Sequence, residues 1–258
     1  MTSQPIASPK QENRAKTLIE VGGIAAPKQE NRAKILIEVG GFVVLAIASK
    51  LVLDPIIWSF SGPISLVFTL LVLTVYLRSQ NLSWSEMGLR PMAGTKAKLL
   101  VIPQAFLVFL AFVAVVAPIL IVGPAIGMEF LAEEPPGVED RWGNVRGNLP
   151  MYLLWILTVW TAAAFGEEMF FRGYLVTRLQ TAFSGIKFGT VLSVMLPALL
   201  FGLGHVYYQG LRGLIVTGAI GLAFGTMFIL FRKNLWPLIL WHGVIDTLAF
   251  TAIYMNWE

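Results

Sequence analysis

His205 and His242 are the only histidines in the chain, and both lie inside long apolar segments. Phe201 precedes His205 by four residues and Asp246 follows His242 by four, so each pair shares a helical face. A third apolar segment runs into Gly166-Glu167-Glu168-Met169-Phe170-Phe171-Arg172, where Glu168 and Arg172 are again four apart. Ionisable groups are costly within a bilayer and tend to mark functional sites there. One glutamate and two histidines form a set that activates water for hydrolysis.

Adjacent carboxylates on an α-helix point about 100° apart, which predicts that Glu167 and Glu168 cannot both face one partner. Glu168 is expected to pair with Arg172, leaving Glu167 as the freer base. The competing reading is an ion pair at a helix end beside the membrane surface. For His205, Gly202 and Gly204 allow another backbone close by, and Phe201 shields the ring. A core histidine bonded to a neighbouring helix would look the same. For His242, Asp246 can accept from the ring and fix its tautomer; a buried structural pair is the alternative. Their coincidence on three separate segments favours a catalytic site.

The rest of the chain must position these groups in lipid. Its 258 residues are 56% hydrophobic and 13% charged, about half the charge of an ordinary soluble domain. Apolar runs without period-2 alternation read as membrane helices. Candidate spans cover about 36–57, 62–77, 99–126, Leu149 into the Glu-Glu motif, 188–208, 213–231 and 235–257. The expected fold is an all-α polytopic transmembrane bundle of about seven helices, six to eight. Gly218, Gly221 and Gly225 suit close helix packing, and Trp236, Trp241 and Trp257 suit anchoring of the last helix. Ser83 and Glu86 form a capping box for a short interfacial helix at 82–89.

Residues 1–34 read as a basic cytosolic tail, and 35–258 as a membrane domain with its catalytic core at about 149–250. The tail carries a duplication: SPKQENRAKTLIEVGG at 8–23 returns as APKQENRAKILIEVGG at 26–41, a period of 18 residues. Lys and Arg gather in the tail and in alternate connections, including Arg78, Arg90, Lys96, Lys98, Arg172, Arg178, Lys187, Arg232 and Lys233. The connection at 127–148 is acidic, with Glu129, Glu133, Glu134, Glu139 and Asp140. The positive-inside rule then puts the N-terminus in the cytosol and the C-terminus outside. The net charge of +4 is a topology signal and not a nucleic-acid patch. Absence of cysteine excludes thiol catalysis and disulfides.

Glu-Glu-x-x-x-Arg, Phe-x-x-x-His and His-x-x-x-Asn/Asp on successive helices resemble the CPBP family, which includes type II CAAX prenyl endopeptidases and Abi-type immunity proteins. Glu167, Glu168 and Arg172 match the first motif, Phe201 and His205 the second, and His242 and Asp246 the third. The resemblance covers about 149–250 and implies a metal-independent intramembrane endopeptidase, in a bacterial inner membrane, acting on membrane-associated proteins or peptides. It implies that Glu167 and His205 polarise a water, that Glu168 and Arg172 hold and tune Glu167, and that His242 with residue 246 stabilises the oxyanion. Asp246 replaces the usual Asn and, ionised, cannot donate a hydrogen bond. Residue counting leaves one conflict: Glu167 falls near the cytosolic end of its span and His205 near the far end of the next. An outer-interface start for the fourth helix, or a break at Pro197 and Gly202 in the fifth, would reconcile them.

Other readings remain at this point. A non-catalytic scaffold or immunity protein of the same fold would keep the pocket. Two histidines and a glutamate can also hold zinc, although no cofactor is called for by the glutamate mechanism. A proton-coupled transporter should show inverted repeats, and none is visible between the halves. The motifs His-Glu-x-x-His and Gly-x-Gly-Asp are absent.

Overall fold

The computed structural model describes residues 31–133 and 135–257. The first copy of the duplication, most of the basic tail and Glu134 lie outside them. Six helices follow in order: α1 Arg32–Ser79, α2 Gly94–Ala125, α3 Pro136–Trp142, α4 Leu149–Ala182, α5 Gly189–Leu230 and α6 Trp236–Met255. Among the described residues, all of these but α3 are long and apolar enough to cross a membrane, which makes five candidate spans. Ile37, Ile56, Val75, Ile121 and Leu157 are 61–76% exposed in the absence of lipid. Apolar surface on this scale belongs against acyl chains, so the chain is an all-α integral membrane bundle.

Two of the five helices fold back on themselves. A straight helix of the 48 residues of α1 would be about 72 Å long. Yet Tyr76 donates to Glu38 at 3.1 Å, and Lys34 donates to Gln80 at 2.9 Å. The reversal is at Ile57, whose φ/ψ of −148°/61° is not helical, two residues after Pro55, which cannot continue the helix. In α5 the reversal is at Gly210, at φ/ψ of 57°/−150°, a conformation essentially confined to glycine. Its two arms touch backbone to backbone. A Cβ on Gly202 would lie 2.6 Å from the Leu214 carbonyl oxygen, and one on Gly221 would lie 2.8 Å from Ala198 Cα. Gly218 and Gly225 face the same seam, whereas a Cβ on Gly204 would meet nothing within 4 Å. Gly204 faces open space instead of a neighbouring backbone.

α4 is the axis of the bundle. Its C-terminal half packs Tyr174, Leu175 and Leu179 against Ile35, Phe42, Leu73 and Leu77 of α1. Its middle packs Ala164, Met169 and Val176 against α2, α5 and α6 through Val108, Phe224, Phe228 and Leu238. Near its start, Trp155 stacks on Phe60 and Phe250.

α4 also corrects the expected end of the fourth span. The helix does not stop at the Glu-Glu motif but continues to Ala182. Arg172 and Arg178 are therefore buried inside it and are not loop cations. Arg172 meets Glu168, and Arg178 meets Glu38 at 3.0 Å, with Tyr174 donating to the same carboxylate. Residues 84–88 form turns and not the expected interfacial helix. Glu86 still accepts from the Ser83 backbone N–H at 2.7 Å, but Gly88 at φ +101° ends the turn.

Candidate active site

The winding of α4 places the acidic pair. Over Val159–Val176 the helix is wound wide, with the i→i+5 pattern of a π-helix, a form concentrated at functional sites. Gly243 of α6 lets Trp160 of α4 come close, since a Cβ there would lie 2.5 Å from the Trp160 ring. Trp160 Nε1 also donates to Thr247 at 3.1 Å, and Tyr152 bonds Thr251 at 3.0 Å. These contacts set the register that brings His242 to the motif.

His242 lies between carboxylates. Its Nδ1 is 2.8 Å from Glu168 Oε1, its Nε2 is 3.8 Å from Glu167 Oε2, and the same Nε2 is 3.4 Å from Asp246 Oδ2. Both adjacent glutamates thus approach one imidazole, contrary to the separation expected for an α-helix. The wider winding changes the angle between successive side chains, and the ring offers a nitrogen to each. Since a carboxylate only accepts, Nδ1 is the donor to Glu168. Glu168 accepts from Arg172 Nη1 on the same oxygen, at 2.9 Å. This glutamate is fully buried, and Arg172 is held over the rings of Phe201 at 4.6 Å and Phe224 at 5.2 Å.

His205 is fixed from its own helix. Its Nδ1 lies 2.8 Å from the Phe201 carbonyl oxygen, so Nδ1 carries the proton. Neutral His205 then presents the lone pair of Nε2. The Phe201 ring lies edge-on at 4.7 Å. The conflict over depth disappears with the true length of α4. Glu167 lies as far before Ala182 as His205 lies after Gly189, to within one residue. No break at Pro197 or Gly202 is present or required.

Glu167, Phe201, His205, His242 and Asp246 line one cavity of about 800 Å³, with Glu168 and Arg172 buried behind its wall. That volume lies within the range of small-ligand sites. Glu167 and Asp246 are half-buried and reach the cavity, whereas Glu168 is sealed. Among the described residues, no group of three or more His, Cys, Asp or Glu is arranged to hold a metal ion; the carboxylates each turn to His242.

Residues 149–248 match the family model described as type II CAAX prenyl endopeptidase Rce1-like. Over this segment the chain is similar to CPBP/Rce1-like domains. The matched segment runs from the start of α4 into α6 and contains all seven residues of the three motifs. α1, α2 and α3 lie outside it. No curated protein and no solved structure matches the chain. The family match and the His242–Glu167–Glu168 cluster suit an intramembrane peptidase in which Glu and His activate water.

Two functional-looking residues escaped the sequence reading. Glu38 is buried and ties α1 to the site helix through Arg178; its only advance signal was a lone carboxylate in an apolar run. Arg141 is buried in the cavity wall from α3. It stood out only as a cation beside Trp142 in an acidic connection.

Proposed function

We propose that this chain hydrolyses peptide bonds of membrane-associated proteins or peptides inside its cavity, with Glu167 as the base. The observation that carries the reading is the arrangement of Glu167 and the lone-pair nitrogen of His205 on one cavity, with His242 beside Glu167. Glu167 takes a proton from water held with His205 Nε2 while the oxygen attacks the scissile carbonyl carbon. His242 Nε2–H donates to the oxyanion. The tetrahedral intermediate then expels the amine, which receives the proton from Glu167. Glu168 and Arg172 act from behind, positioning His242 and the α4 backbone.

The test is a comparison of protein termini in membranes of cells carrying wild type or Glu167→Ala at matched expression. Termini that vanish in the variant identify proteolysis and its substrates. An unchanged set, with the variant folded and abundant, moves a non-catalytic scaffold ahead of the enzyme.

Asp246 orients a cationic His242 and does not donate itself. Asp246→Asn is therefore expected to stay within about tenfold of wild type, while His242→Ala loses roughly 10²-fold or more, the scale of a missing oxyanion donor. Initial rates on a substrate from the terminus comparison measure both. Equal loss in the two variants removes the orienting role.

The same reading gives seven passes, with the turns at Ile57 and Gly210 each returning the chain through the membrane. The domain at 35–258 then sits in a bacterial inner membrane, with the tail of 1–34 cytosolic. Arg78, Arg90, Lys96, Lys98, Lys187, Arg232 and Lys233 support one cytosolic face. The chain contains no cysteine, so single introduced thiols report sidedness. Ser184→Cys and Arg232→Cys are expected to react with an impermeant maleimide only after permeabilisation, and Glu129→Cys in intact cells. Ser184→Cys and Arg232→Cys on opposite sides would make α5 a single crossing.

A further inference from the structure

Three arginines are buried among the described residues: Arg141, Arg172 and Arg178. Arg172 and Arg178 each face a glutamate at 3.0 Å or less. Arg141 differs. It is 7% exposed, no carboxylate of the described residues lies within ion-pair distance, and its Nε has no hydrogen-bond partner. A buried charge is normally paired.

Arg141 is instead surrounded by aromatic rings. Its guanidinium lies 4.5 Å from the centroid of Tyr208, 5.8 Å from Trp142 and Trp155, and 6.0 Å from Trp58. Aromatic faces offset part of the cost of a buried cation but leave its hydrogen-bonding fork unused. Burial holds the guanidinium below its usual range, opposed by Tyr208, Glu167, Tyr207 and Asp54.

α3 holds the group rigidly. A Cβ on Gly137 would lie 2.5 Å from the Tyr208 carbonyl oxygen, so α3 is pressed onto α5 just beyond His205. Arg212 secures the preceding segment by donating to the Glu133 carbonyl at 2.8 Å. Arg141 lines the same cavity as Glu167, His205 and His242. Two other Lys or Arg side chains line that cavity: Lys50 is paired with Asp54 at 2.9 Å, and Arg212 is the half-buried residue bonded to the Glu133 carbonyl.

We propose that Arg141 is a carboxylate-binding subsite of this cavity, which fixes a peptide by its C-terminal carboxylate or an acidic side chain. The proposal rests on the peptidase reading for the nature of the ligand. A planar fork of N–H donors matches a carboxylate bidentately. A cavity of about 800 Å³ has the size of a site for a few residues, since such pockets run to roughly 1,000 Å³. A two-chain phospholipid exceeds it.

The test uses the full chain in lipid nanodiscs, titrated calorimetrically against empty nanodiscs. The probes are an N-dodecanoyl leucyl-valine as free acid, the same compound as its amide, and an N-dodecanoyl glutamyl-valine amide. At least one carboxylate probe is expected to bind about tenfold or more tightly than the uncharged amide, as for one charge-assisted hydrogen-bond pair. Arg141→Gln reduces that preference to less than about twofold. A preference in the free acid alone assigns the subsite to the C-terminus, and one in the glutamyl probe alone assigns it to a side chain.

A second readout needs no variant: the preferred probe should protect Arg141 of wild type from phenylglyoxal, read by peptide mass spectrometry, while the uncharged amide does not. Absence of any preference in wild type, persistence of it in Arg141→Gln, or unprotected Arg141 overturns the proposal. Tighter binding of dodecyl phosphate than of either carboxylate also overturns it, in favour of a lipid anion. Repeating the titration on Glu167→Gln separates the two readings. A carboxylate preference there, with no Glu167-dependent termini in cells, sinks the peptidase and leaves the subsite standing.

Discussion

Glu167→Gln is expected to lower cleavage by about 10²–10⁴-fold, the usual contribution of a positioned general base, and to leave the protein folded. The substitution keeps volume and one acceptor oxygen while removing the ability to take a proton. Stability should be spared because Glu167 is half-buried on the cavity and the His242 Nε2 that it approaches is 3.8 Å away, beyond hydrogen-bond distance. The buried charge of Arg172 rests on Glu168 instead. Initial rates and thermal unfolding of the same preparation check both halves. A loss smaller than tenfold takes Glu167 out of the reaction. A loss that tracks unfolding makes its role structural.

Glu168→Ala should act on the fold. Removing one partner of a buried pair leaves an uncompensated charge, at a cost of about 3–5 kcal/mol, and here Arg172 and His242 Nδ1 both lose their acceptor. The intact pair is itself imperfect, because Glu168 Oε2 and Arg172 Nη2 have no hydrogen-bond partner. Its net contribution should therefore be far smaller than the cost of breaking it. Glu168→Gln combined with Arg172→Met is expected to be more stable than Glu168→Ala by about 2 kcal/mol or more. Unfolding midpoints of the purified variants in one detergent decide this. A single substitution within about 1 kcal/mol of wild type would mean that water reaches the site.

These expectations depend on features that differ in how far they were legible. The residue types and i,i+4 spacings of Glu168–Arg172, Phe201–His205 and His242–Asp246 are local, and the structure places each pair in contact. The hydrogen bond from His242 to Glu168 spans two helices and depends on the seam of Trp160, Gly243 and Thr247, which no spacing reveals. The approach of Glu167 and Glu168 to one ring required a winding that an α-helical wheel does not contain. α4 ran past its expected end for a related reason. Arg172 and Arg178 interrupt the apolar pattern, and their burial becomes intelligible once they are seen to meet Glu168 and Glu38. Arg141 was hidden because a loop cation reads as solvated until the fold covers it.

The anchoring of α1 gives the duplicated N-terminal segment an evolutionary asymmetry. Glu38 and Ile35, both buried against α4, belong to the second copy, and their counterparts in the first are Glu20 and Thr17. The carboxylate was conserved across the duplication, but the residue that fills the fully buried apolar slot was not. Selection on this slot can see only the copy that occupies it. The second copy is held to its sequence by that packing, so Ile35 and Glu38 are the positions of the repeat at which a substitution disturbs α4.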